Sequence, residues 1–436
     1  MVRIQLSDNL PAAQELTGRR QAAILVTLGA LSAFGPLSMD LYLPSLPSLG
    51  RSLGASDALA QLTMSVCMVG LAVGQLFGGP LSDRFGRRRP LVLGVAAFAI
   101  ASALCALAPD IWILVALRLL QGLAGAFGIV ISRAMVRDLF RGDQVSRVYS
   151  TLMMVTGIAP VLAPLAGGQL ARVTDWRGLF AVLFAVGVLL FLAALVLPET
   201  LGERQRRPAG LRAVGAEFAV LGRDRRFTGY ALVLSLTSCA LFTYISFGTF
   251  VLQGGYGLSA QEFSAVFAVN SVGIVLVGNL NRMMVGRFSP AGLLTTGIYT
   301  GLAGALLALA AVLCGLGLPA LLPGLFIVTA VAGLISPNAT AMSMDRHGDR
   351  AGSASALLGV LQFTAGAAVP PLVSSAAGAT AVSMAATILA GFTAALAALA
   401  ATVSRRTGAG PAQHPLVLDP DSDDPERGVP LPAPPG

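Results

Sequence analysis

The sequence predicts an all-α integral membrane protein with twelve transmembrane helices arranged in two six-helix bundles. Three observations support this fold class: the composition, the number of long apolar segments, and one long break between them. Of the 436 residues, 55% are hydrophobic and only 11% are charged, whereas about 25% of the residues in a soluble domain are charged. Most of the chain is therefore surrounded by lipid rather than by water.

The apolar segments have the length of membrane-spanning helices. A bilayer core about 30 Å thick needs roughly 20 apolar residues, at a rise of about 1.5 Å per residue. Twelve segments meet this requirement, and they cover residues 22–45, 61–82, 90–108, 111–132, 148–171, 178–197, 227–251, 261–281, 290–313, 319–343, 351–375 and 378–403.

The longest break between the apolar segments divides the chain into two halves. It covers residues 198–226 and separates a first bundle at 22–197 from a second bundle at 227–403. Residues 1–21 then form an N-terminal cytoplasmic segment, and residues 404–436 form a cytoplasmic tail. Because the tail is rich in proline and acidic residues, we expect it to be disordered.

Part of the break has a helical pattern. Leu211, Val214, Phe218 and Leu221 recur at helical spacing among charged residues. This pattern is typical of an amphipathic helix that lies on the inner leaflet. A solvated linker explains the same residues equally well.

The basic residues indicate the orientation of the chain. All 29 of them are arginine, and the cytoplasmic loops of membrane proteins hold the excess of basic residues. If both termini are cytoplasmic, 25 arginines lie in inner segments, three lie in outer loops, and only Arg118 lies within a span. We therefore predict a multi-pass protein of a bacterial cytoplasmic (inner) membrane with cytoplasmic N and C termini.

Several classes of function are excluded by the residue types. The chain has no lysine, so it has neither a GK[ST] phosphate-binding loop nor an amine for Schiff-base chemistry. The four cysteines lie on separate spans, and His347 and His414 lie in cytoplasmic segments, which fits neither a metal site nor a catalytic triad. The arginines are dispersed between apolar segments, which indicates topology rather than nucleic-acid binding. We expect no enzyme activity, no metal or cofactor, and no nucleic-acid partner.

The connection after the second span combines glycine, arginine and a single acid. Gly86 permits a tight turn, and Asp83 can accept hydrogen bonds at a neighbouring helix N-terminus or pair with an arginine. Such a contact can form in one conformation and break in another. The alternative is that these residues only fix the orientation of the loop in the membrane. Asp138, in the next inner connection, is the predicted counter-charge. The segment resembles motif A of the major facilitator superfamily, G-x-L-x-D-R-x-G-R-R, which implies a gating role for Gly79, Asp83, Arg84, Gly86, Arg87 and Arg88.

Two further segments resemble motifs of the same superfamily. The fourth span contains Arg118-Leu119-Leu120-Gln121-Gly122, which is similar to the R-x-x-Q-G pattern of motif B. The fifth span resembles motif C of drug/proton antiporters, although Ala163 stands where a glycine usually precedes Pro164. The residues that carry this second resemblance are Gly157, Pro160, Pro164, Gly167 and Gly168.

Five shorter segments carry a closer resemblance. They are MDLYLPSLP at 39–47, LPETL at 197–201, FVLQ at 250–253, PNA at 337–339 and AGSASALLG at 351–359. Together they resemble the Bcr/CflA subfamily of multidrug efflux transporters, over roughly residues 20 to 403.

Asp40 and Arg118 are the ionisable residues that lie within the predicted spans, away from the span ends. A charge at membrane depth costs about 2.5 to 3.5 kcal/mol, so each residue requires a partner or has a function. A carboxyl group at this depth can alternate between its protonated and ionised forms. The resemblance implies that Asp40 and Arg118 act in proton coupling. The alternatives are that Asp40 caps the break made by Pro44 or forms a static pair with Arg118.

The resemblance also implies a central cavity lined by the first, fourth, seventh and tenth spans. Aromatic and amide side chains there can contact an amphipathic ligand, although the same residue types also join helices. The candidate cavity residues are Phe34, Gln121, Tyr244, Phe247 and Asn338.

These features predict a monomeric, proton-coupled exporter of small amphipathic drugs or toxic compounds. The expected coupling ion is the proton, and the expected partners are a drug-like molecule and membrane lipid. Because a fold fixes neither cargo nor direction, an importer or facilitator of a small metabolite is an alternative function. A non-transporting membrane sensor or scaffold is a further alternative.

Overall fold

The protein is described by a computed structural model that covers residues 18–140, 158–203, 206, 211–345, 347 and 351–404. In this part of the chain, helices are joined by short connections, and one isolated β-bridge joins Val285 to Phe288. Most of the predicted N-terminal segment and the tail from residue 405 onward lie outside the described residues.

The first half contains the helices up to the linker. A 3₁₀ turn at Leu43–Ser45 lies between the second and third of them. The helices are α1 (Gly18–Ser32), α2 (Phe34–Asp40), α3 (Leu46–Ser52), α4 (Asp57–Phe85), α5 (Arg88–Ala106), α6 (Ile111–Leu139), α7 (Ile158–Leu170) and α8 (Trp176–Val196).

The linker and the second half contain the remaining described helices. The helix after the linker continues into a π-helical turn at Phe250–Gly255. The helices are α9 (Leu211–Arg223), α10 (Arg225–Thr249), α11 (Ala260–Met284), α12 (Pro290–Leu313), α13 (Leu318–Ala330), α14 (Ala332–Met344), α15 (Ala351–Ala377) and α16 (Ala381–Ser404).

The predicted fold class is confirmed. Within the described residues, ten helical segments are long and apolar enough to cross a membrane. They correspond to the second, third, fourth, sixth and all later predicted spans, and the bent first span is the eleventh. The fifth predicted span is described only from Ile158, as α7.

The linker contains the helix that its periodicity predicts. This helix, α9, covers Leu211–Arg223. Leu221 is buried and Phe218 is partly buried, whereas the side chains of Leu211 and Val214 lie outside the description.

The first predicted span is not one continuous helix. It bends by 50° between Ala23–Ser32 and Leu37–Ser52, and it extends beyond the predicted end at residue 45. The predicted first span is therefore present as a bent span, and apolar length alone does not reveal the bend between Ser32 and Leu37.

Prolines explain the break that follows α2. Proline has no backbone N–H, so it cannot donate to the carbonyl group four residues earlier. Pro44 and Pro47 therefore leave the carbonyl groups of Asp40 and Leu43 without their usual helical donors. As a result, Asp40 is the last residue of α2.

Close packing of α4 against α6 holds the first bundle together. The spacing of Gly70, Gly74 and Gly78 predicts such packing, and the structure confirms it for the first two. A methyl group at Gly70 or Gly74 would collide with the backbone of α6, whereas at Gly78 it would lie 3.7 Å from Val130, at an ordinary contact distance. The two helices therefore meet backbone to backbone.

We expect Gly70→Ala to destabilise the protein. The added methyl group meets the carbonyl oxygen of Leu119, and overpacking of this kind costs about 1 to 3 kcal/mol. The check is the thermal midpoint of the purified protein in detergent, compared with Gly222→Ala on α9, where no atom lies within 4 Å of the new methyl group. Equal midpoints for the two variants would contradict the proposed packing.

Candidate functional site

A cavity of about 1000 Å³ lies between the two halves of the molecule. It extends from the middle of the spans to the C-terminal ends of α4 and α6, where Asp83, Arg133 and Arg137 lie, and to Arg87 in the turn after α4. We call these ends the arginine-rich end and the other ends of the bundles the opposite end. Among the described residues, the cavity wall includes none from the opposite end between 41 and 56. The cavity therefore reaches the arginine-rich end only.

Asp40 lies on the wall of this cavity, at the C-terminal end of α2. Only 6% of its surface is exposed. Within the described residues, no hydrogen bond or ion pair reaches its carboxyl group. Asp40 is therefore a buried acid that faces the central space.

Arg118 is fully buried inside the first bundle, away from the cavity wall. Its guanidinium group donates to the side-chain oxygen of Gln121 and, at 3.4 Å, to the carbonyl oxygen of Thr63. It also lies 4.6 Å from the centre of the Tyr42 ring and 5.5 Å from the centre of the Phe180 ring. Desolvated cation–π contacts contribute about 2 kcal/mol, so ring faces and carbonyl oxygens stabilise this charge.

The predicted alternative of a static Asp40–Arg118 pair is wrong. No ion pair joins the two side chains in the described part of the chain. They are connected indirectly, because Tyr42, whose ring faces Arg118, follows Asp40 by two residues in the break. The predicted roles of both residues in proton coupling stay predictions.

Four of the five candidate cavity residues lie elsewhere, so their assignment to the cavity wall is corrected. Each has partners within its own bundle. Phe34 stacks on Phe98 with ring centres 4.2 Å apart, Gln121 contacts Arg118 and Ser102, Asn338 donates to Asn281 at 2.7 Å, and Phe247 is fully buried. The residue types were informative, but their partners could not be read from spacing.

Tyr244 does lie on the cavity wall. Its hydroxyl oxygen accepts a hydrogen bond from the Asn270 side chain at 2.6 Å. Its ring stacks on Phe267, with ring centres 5.9 Å apart. Because the oxygen already accepts from Asn270, the hydroxyl proton can point toward the cavity.

Sequence reasoning missed other residues on the cavity wall. Two more aromatic rings, Phe242 and Phe363, face the cavity with their centres 5.9 Å apart. Three amide side chains also line it: Gln75, Asn270 and Gln362. Their sequence signal is an amide in the middle of an apolar span on α4, α11 or α15.

Motif A forms an ionic network around Arg87. The Arg87 side chain is only 6% exposed. It donates to the carboxylate of Asp83, to Ser82 Oγ at 2.7 Å and to Asp138 Oδ2 at 3.0 Å. Asp138, the predicted counter-charge, therefore lies beside the motif. Asp83 is 42% exposed, and Arg87 is its ion-pair partner within the described residues.

The other predicted motif A residues lie around this network. Gly86 has a φ of 87°, which glycine adopts without strain. Gly79 lines the cavity, Arg84 lies over the Phe85 ring, and Arg88 donates to the carbonyl oxygen of Leu195.

Glu199 holds the motif A turn in place. Its carboxylate accepts hydrogen bonds from the backbone N–H groups of Arg87 at 2.7 Å and Arg88 at 3.2 Å. These groups lie at the N-terminus of α5, where a negative charge is stabilised by the helix dipole. Thr200 donates to Asp138 at 2.9 Å. The LPETL segment carried part of the resemblance to the Bcr/CflA subfamily, but the sequence did not connect it with motif A.

The linker helix forms part of the cavity mouth. Glu217 and Phe218 of α9 lie on the cavity wall. The Glu217 carboxylate accepts a hydrogen bond from Ser353, in the first turn of α15. The linker therefore contacts the second bundle beside the route into the cavity.

In the second half, one hydrogen bond and one ion pair join the start of α10 to residues that directly follow α14. The Asp224 carboxylate lies 2.8 Å from His347 Nε2, and Arg226 lies 3.0 Å from Asp345. Partial burial opposes ionisation of Asp224, but hydrogen bonds from the Arg226 amide, His347 and the Phe227 amide outweigh it and lower the pKa of Asp224. Asp224 also caps the N-terminus of α10.

Motif C contributes to closure of the opposite end. Gly167 packs against the carbonyl group of Leu41, and the Gly168 carbonyl accepts a hydrogen bond from Gln261 of the second half at 2.8 Å. Pro164 is buried, and Pro160 lies on the cavity wall. Gly157 lies outside the described residues.

The fold agrees with comparisons to known proteins. Residues 28–371 match the Major Facilitator Superfamily model. The chain belongs to this superfamily. It is 39% identical over 364 residues to the uncharacterized MFS-type transporter YdgK of Bacillus subtilis, covering 82% of this chain and 90% of that one. It is 32% identical over 352 residues to the bicyclomycin resistance protein homolog of Haemophilus influenzae, covering 80% and 88%.

Among solved structures, the nucleoside transporter NupG has the same fold. The two structures align with a TM-score of 0.71 at 13% identity, over 87% of this chain and 99% of that one.

The predicted superfamily and the resemblance to Bcr/CflA drug/proton antiporters are confirmed, and the protein is a multi-pass membrane transporter.

We expect Asp138→Asn to destabilise the transporter more than Asp83→Asn does. Both changes remove a carboxylate from the buried Arg87, but the Asp138 side chain is 18% exposed and the Asp83 side chain is 42% exposed. After allowance for solvent screening, the Asp138 change costs about 1 to 2 kcal/mol.

The thermal midpoints of the purified variants in detergent measure this order of stability. Glu203→Gln is the matched control, because its side chain is 88% exposed and lies 3.7 Å from Arg206. A midpoint for Asp138→Asn equal to that of the control contradicts the network.

Proposed function

We propose that this transporter exports small amphipathic drugs or toxic compounds across the bacterial cytoplasmic (inner) membrane in exchange for protons. The observation that carries the proposal is Asp40, a buried acid without a described partner on the wall of a cavity that reaches one end of the molecule. With both termini in the cytoplasm, the arginine-rich end is cytoplasmic and the cavity is open to cargo from inside. Similarity to a bicyclomycin resistance protein homolog supports drug export.

Proton exchange follows from the position of Asp40. When the cavity opens to the outside, Asp40 takes up a proton and cargo leaves. When the cavity opens to the cytoplasm, Asp40 releases the proton and cargo enters. One charge moved through about 150 mV yields roughly 3.5 kcal/mol, which supports a concentration ratio of several hundred.

Arg118 acts on Asp40 through the break rather than by direct pairing. Its guanidinium group lies over the Tyr42 ring, at 4.6 Å. Tyr42 also shares a hydrogen bond of 3.1 Å with Thr63 of α4. Arg118 therefore fixes the backbone that follows Asp40, and movement of this backbone accompanies a change in the Asp40 charge.

The cavity wall suits amphipathic cargo. A volume of about 1000 Å³ lies at the upper end of drug-sized pockets. Besides Phe218 at the cavity mouth, four further aromatic rings provide apolar contacts, and three amide groups provide hydrogen bonds. These residues are Phe242, Tyr244, Phe267, Phe363, Gln75, Asn270 and Gln362.

We expect Asp40→Asn to abolish proton-driven efflux, because an amide cannot release a proton at physiological pH. The measurement is drug efflux from membrane vesicles under an imposed pH gradient, where we expect at least a tenfold loss, together with drug susceptibility in a host that lacks its own pumps. Asp57→Asn, at an exposed position at the opposite end, is the control. Full pH-driven efflux in both Asp40→Asn and Asp83→Asn would sink the proposed mechanism.

We expect Tyr244→Phe to change the drug profile rather than to abolish efflux. The variant keeps the ring and loses only the hydroxyl group, whose hydrogen bond to a cargo acceptor is worth about a twofold to tenfold change. Inhibitory concentrations across a drug panel measure the change. Tyr299→Phe, which is 56% exposed on α12, is the matched control. A uniform loss of resistance to every compound contradicts a selective contact.

A further inference from the structure

The opposite end is closed in part by hydrogen bonds between two segments of the chain. One is the MDLYLPSLP segment of the broken first span, and the other consists of Thr249, the last residue of α10, and the FVLQ segment that follows it. Thr249 Oγ donates to the carbonyl oxygen of Leu43 at 2.9 Å, and Gln253 Nε2 donates to the carbonyl oxygen of Pro44 at 3.0 Å. These two bonds join the first half of the chain to the second.

The prolines of the first span make such contacts possible. In a continuous helix, the Leu43 carbonyl would accept from the N–H of residue 47, but Pro47 has none. It accepts instead from the Leu46 N–H, in the tighter 3₁₀ turn, and from Thr249. The second half thus supplies a donor that the first span lacks.

The direction of every bond in this group is fixed. Thr249 gives its hydroxyl proton to Leu43, so its oxygen is free to accept from Gln253 Nε2, at 2.9 Å. A reversed Gln253 amide would place its oxygen against the Pro44 carbonyl oxygen, where no proton is available. In the two bonds that join the halves, both donors therefore lie in the second half, and both acceptors are backbone carbonyl groups of the first span.

The local backbone presents these two side chains together. Thr249 is the last residue of α10 and is fully buried. Gln253 lies one turn later, in the π-helical turn Phe250–Gly255. Such turns occur frequently at functional sites in helices.

We propose that Thr249 and Gln253 are the gate residues of the opposite end. They hold the 3₁₀ turn that follows Asp40 while the cavity faces the cytoplasm, and they release it when the cavity opens to the outside. The inference rests on the alternating access of the proposed function, but not on the identity of the cargo or the coupling ion. Thr249 and Gln253 are positioning residues, because they act on the backbone next to Asp40 rather than on Asp40 itself.

The test is access to the cavity from each side of the membrane. A reporter thiol is introduced on the cavity wall by Ser271→Cys, in a Cys314→Ser background, because Cys314 is exposed whereas Cys67, Cys105 and Cys239 are buried. A membrane-impermeant maleimide is applied to right-side-out and inside-out vesicles, without drug. In Gln253→Leu and Thr249→Val, we expect labelling from the outside to be about threefold to tenfold faster, as the loss of a hydrogen bond implies.

Conservative and control variants separate gating from general damage. Thr249→Ser keeps the hydroxyl group, so its labelling rate stays at that of the parent. Gln169→Leu, exposed at the end of α7, and Thr295→Val, whose hydroxyl donates within its own helix at 2.8 Å, leave the rate unchanged.

Two results overturn the gate. One is an unchanged outside rate in both Gln253→Leu and Thr249→Val. The other is faster labelling from both sides, which indicates loosened packing. The assay contains no drug and no proton gradient. A negative result therefore contradicts the proposed gate without contradicting drug efflux. In the same way, a negative efflux result does not contradict the gate.

Discussion

Backbone carbonyl groups that lose their donors inside a membrane are the constraint on which this structure depends. Lipid offers no hydrogen bonds, so each such group must be satisfied by protein or by a water-filled space. Pro44 and Pro47 create this need in the first span, directly after the acid proposed to bind the proton. Thr249 of the second half donates to one of these carbonyl groups, that of Leu43, and Gln253 donates to the adjacent carbonyl group of Pro44. The break, the closure between the halves and the position of Asp40 therefore have one common cause.

The charges follow a related rule. The buried Arg87 has two carboxylates beside it, and the buried Arg118 is surrounded by ring faces and oxygen atoms. Both cations are thus compensated within the first half. Asp40 differs, since no described residue compensates its charge and it faces the cavity. A group that must gain and lose a proton in each cycle is better served by such a position than by a permanent partner.

The spans could be predicted from the sequence because a lipid bilayer imposes a length and an apolar composition on each of them. The predicted ends of the spans were less accurate. For example, α6 runs to Leu139, beyond the predicted end at residue 132, because a helix that leaves the membrane is no longer limited by hydropathy. Pro44 indicated the break that follows Asp40, whereas apolar length did not indicate the bend between Ser32 and Leu37.

The site was predictable only in part. Asp40 was found because an acid inside an apolar span is rare, and Arg87 because its motif is compact in sequence. Residues whose role depends on partners far away in the sequence were not predicted. Glu199, for example, contacts the backbone of Arg87, 112 positions away. Phe34 and Asn338 had the residue types of a cavity wall, but neighbouring helices already occupy their side chains.

The two ends of the transporter use different interactions, and the energies explain why. Two neutral hydrogen bonds contribute about 1 to 3 kcal/mol in total, which is less than the roughly 3.5 kcal/mol available from one charge crossing about 150 mV. The free energy gained in one complete proton-coupled cycle therefore exceeds the cost of breaking the hydrogen bonds formed by Thr249 and Gln253. A buried ion pair at the same place would carry a desolvation cost of several kcal/mol per ion and would leave uncompensated charges in each cycle. At the arginine-rich end, the motif A ion pairs involve Asp83, Arg87 and Asp138, which all lie in the first half, so none of these pairs joins the two halves.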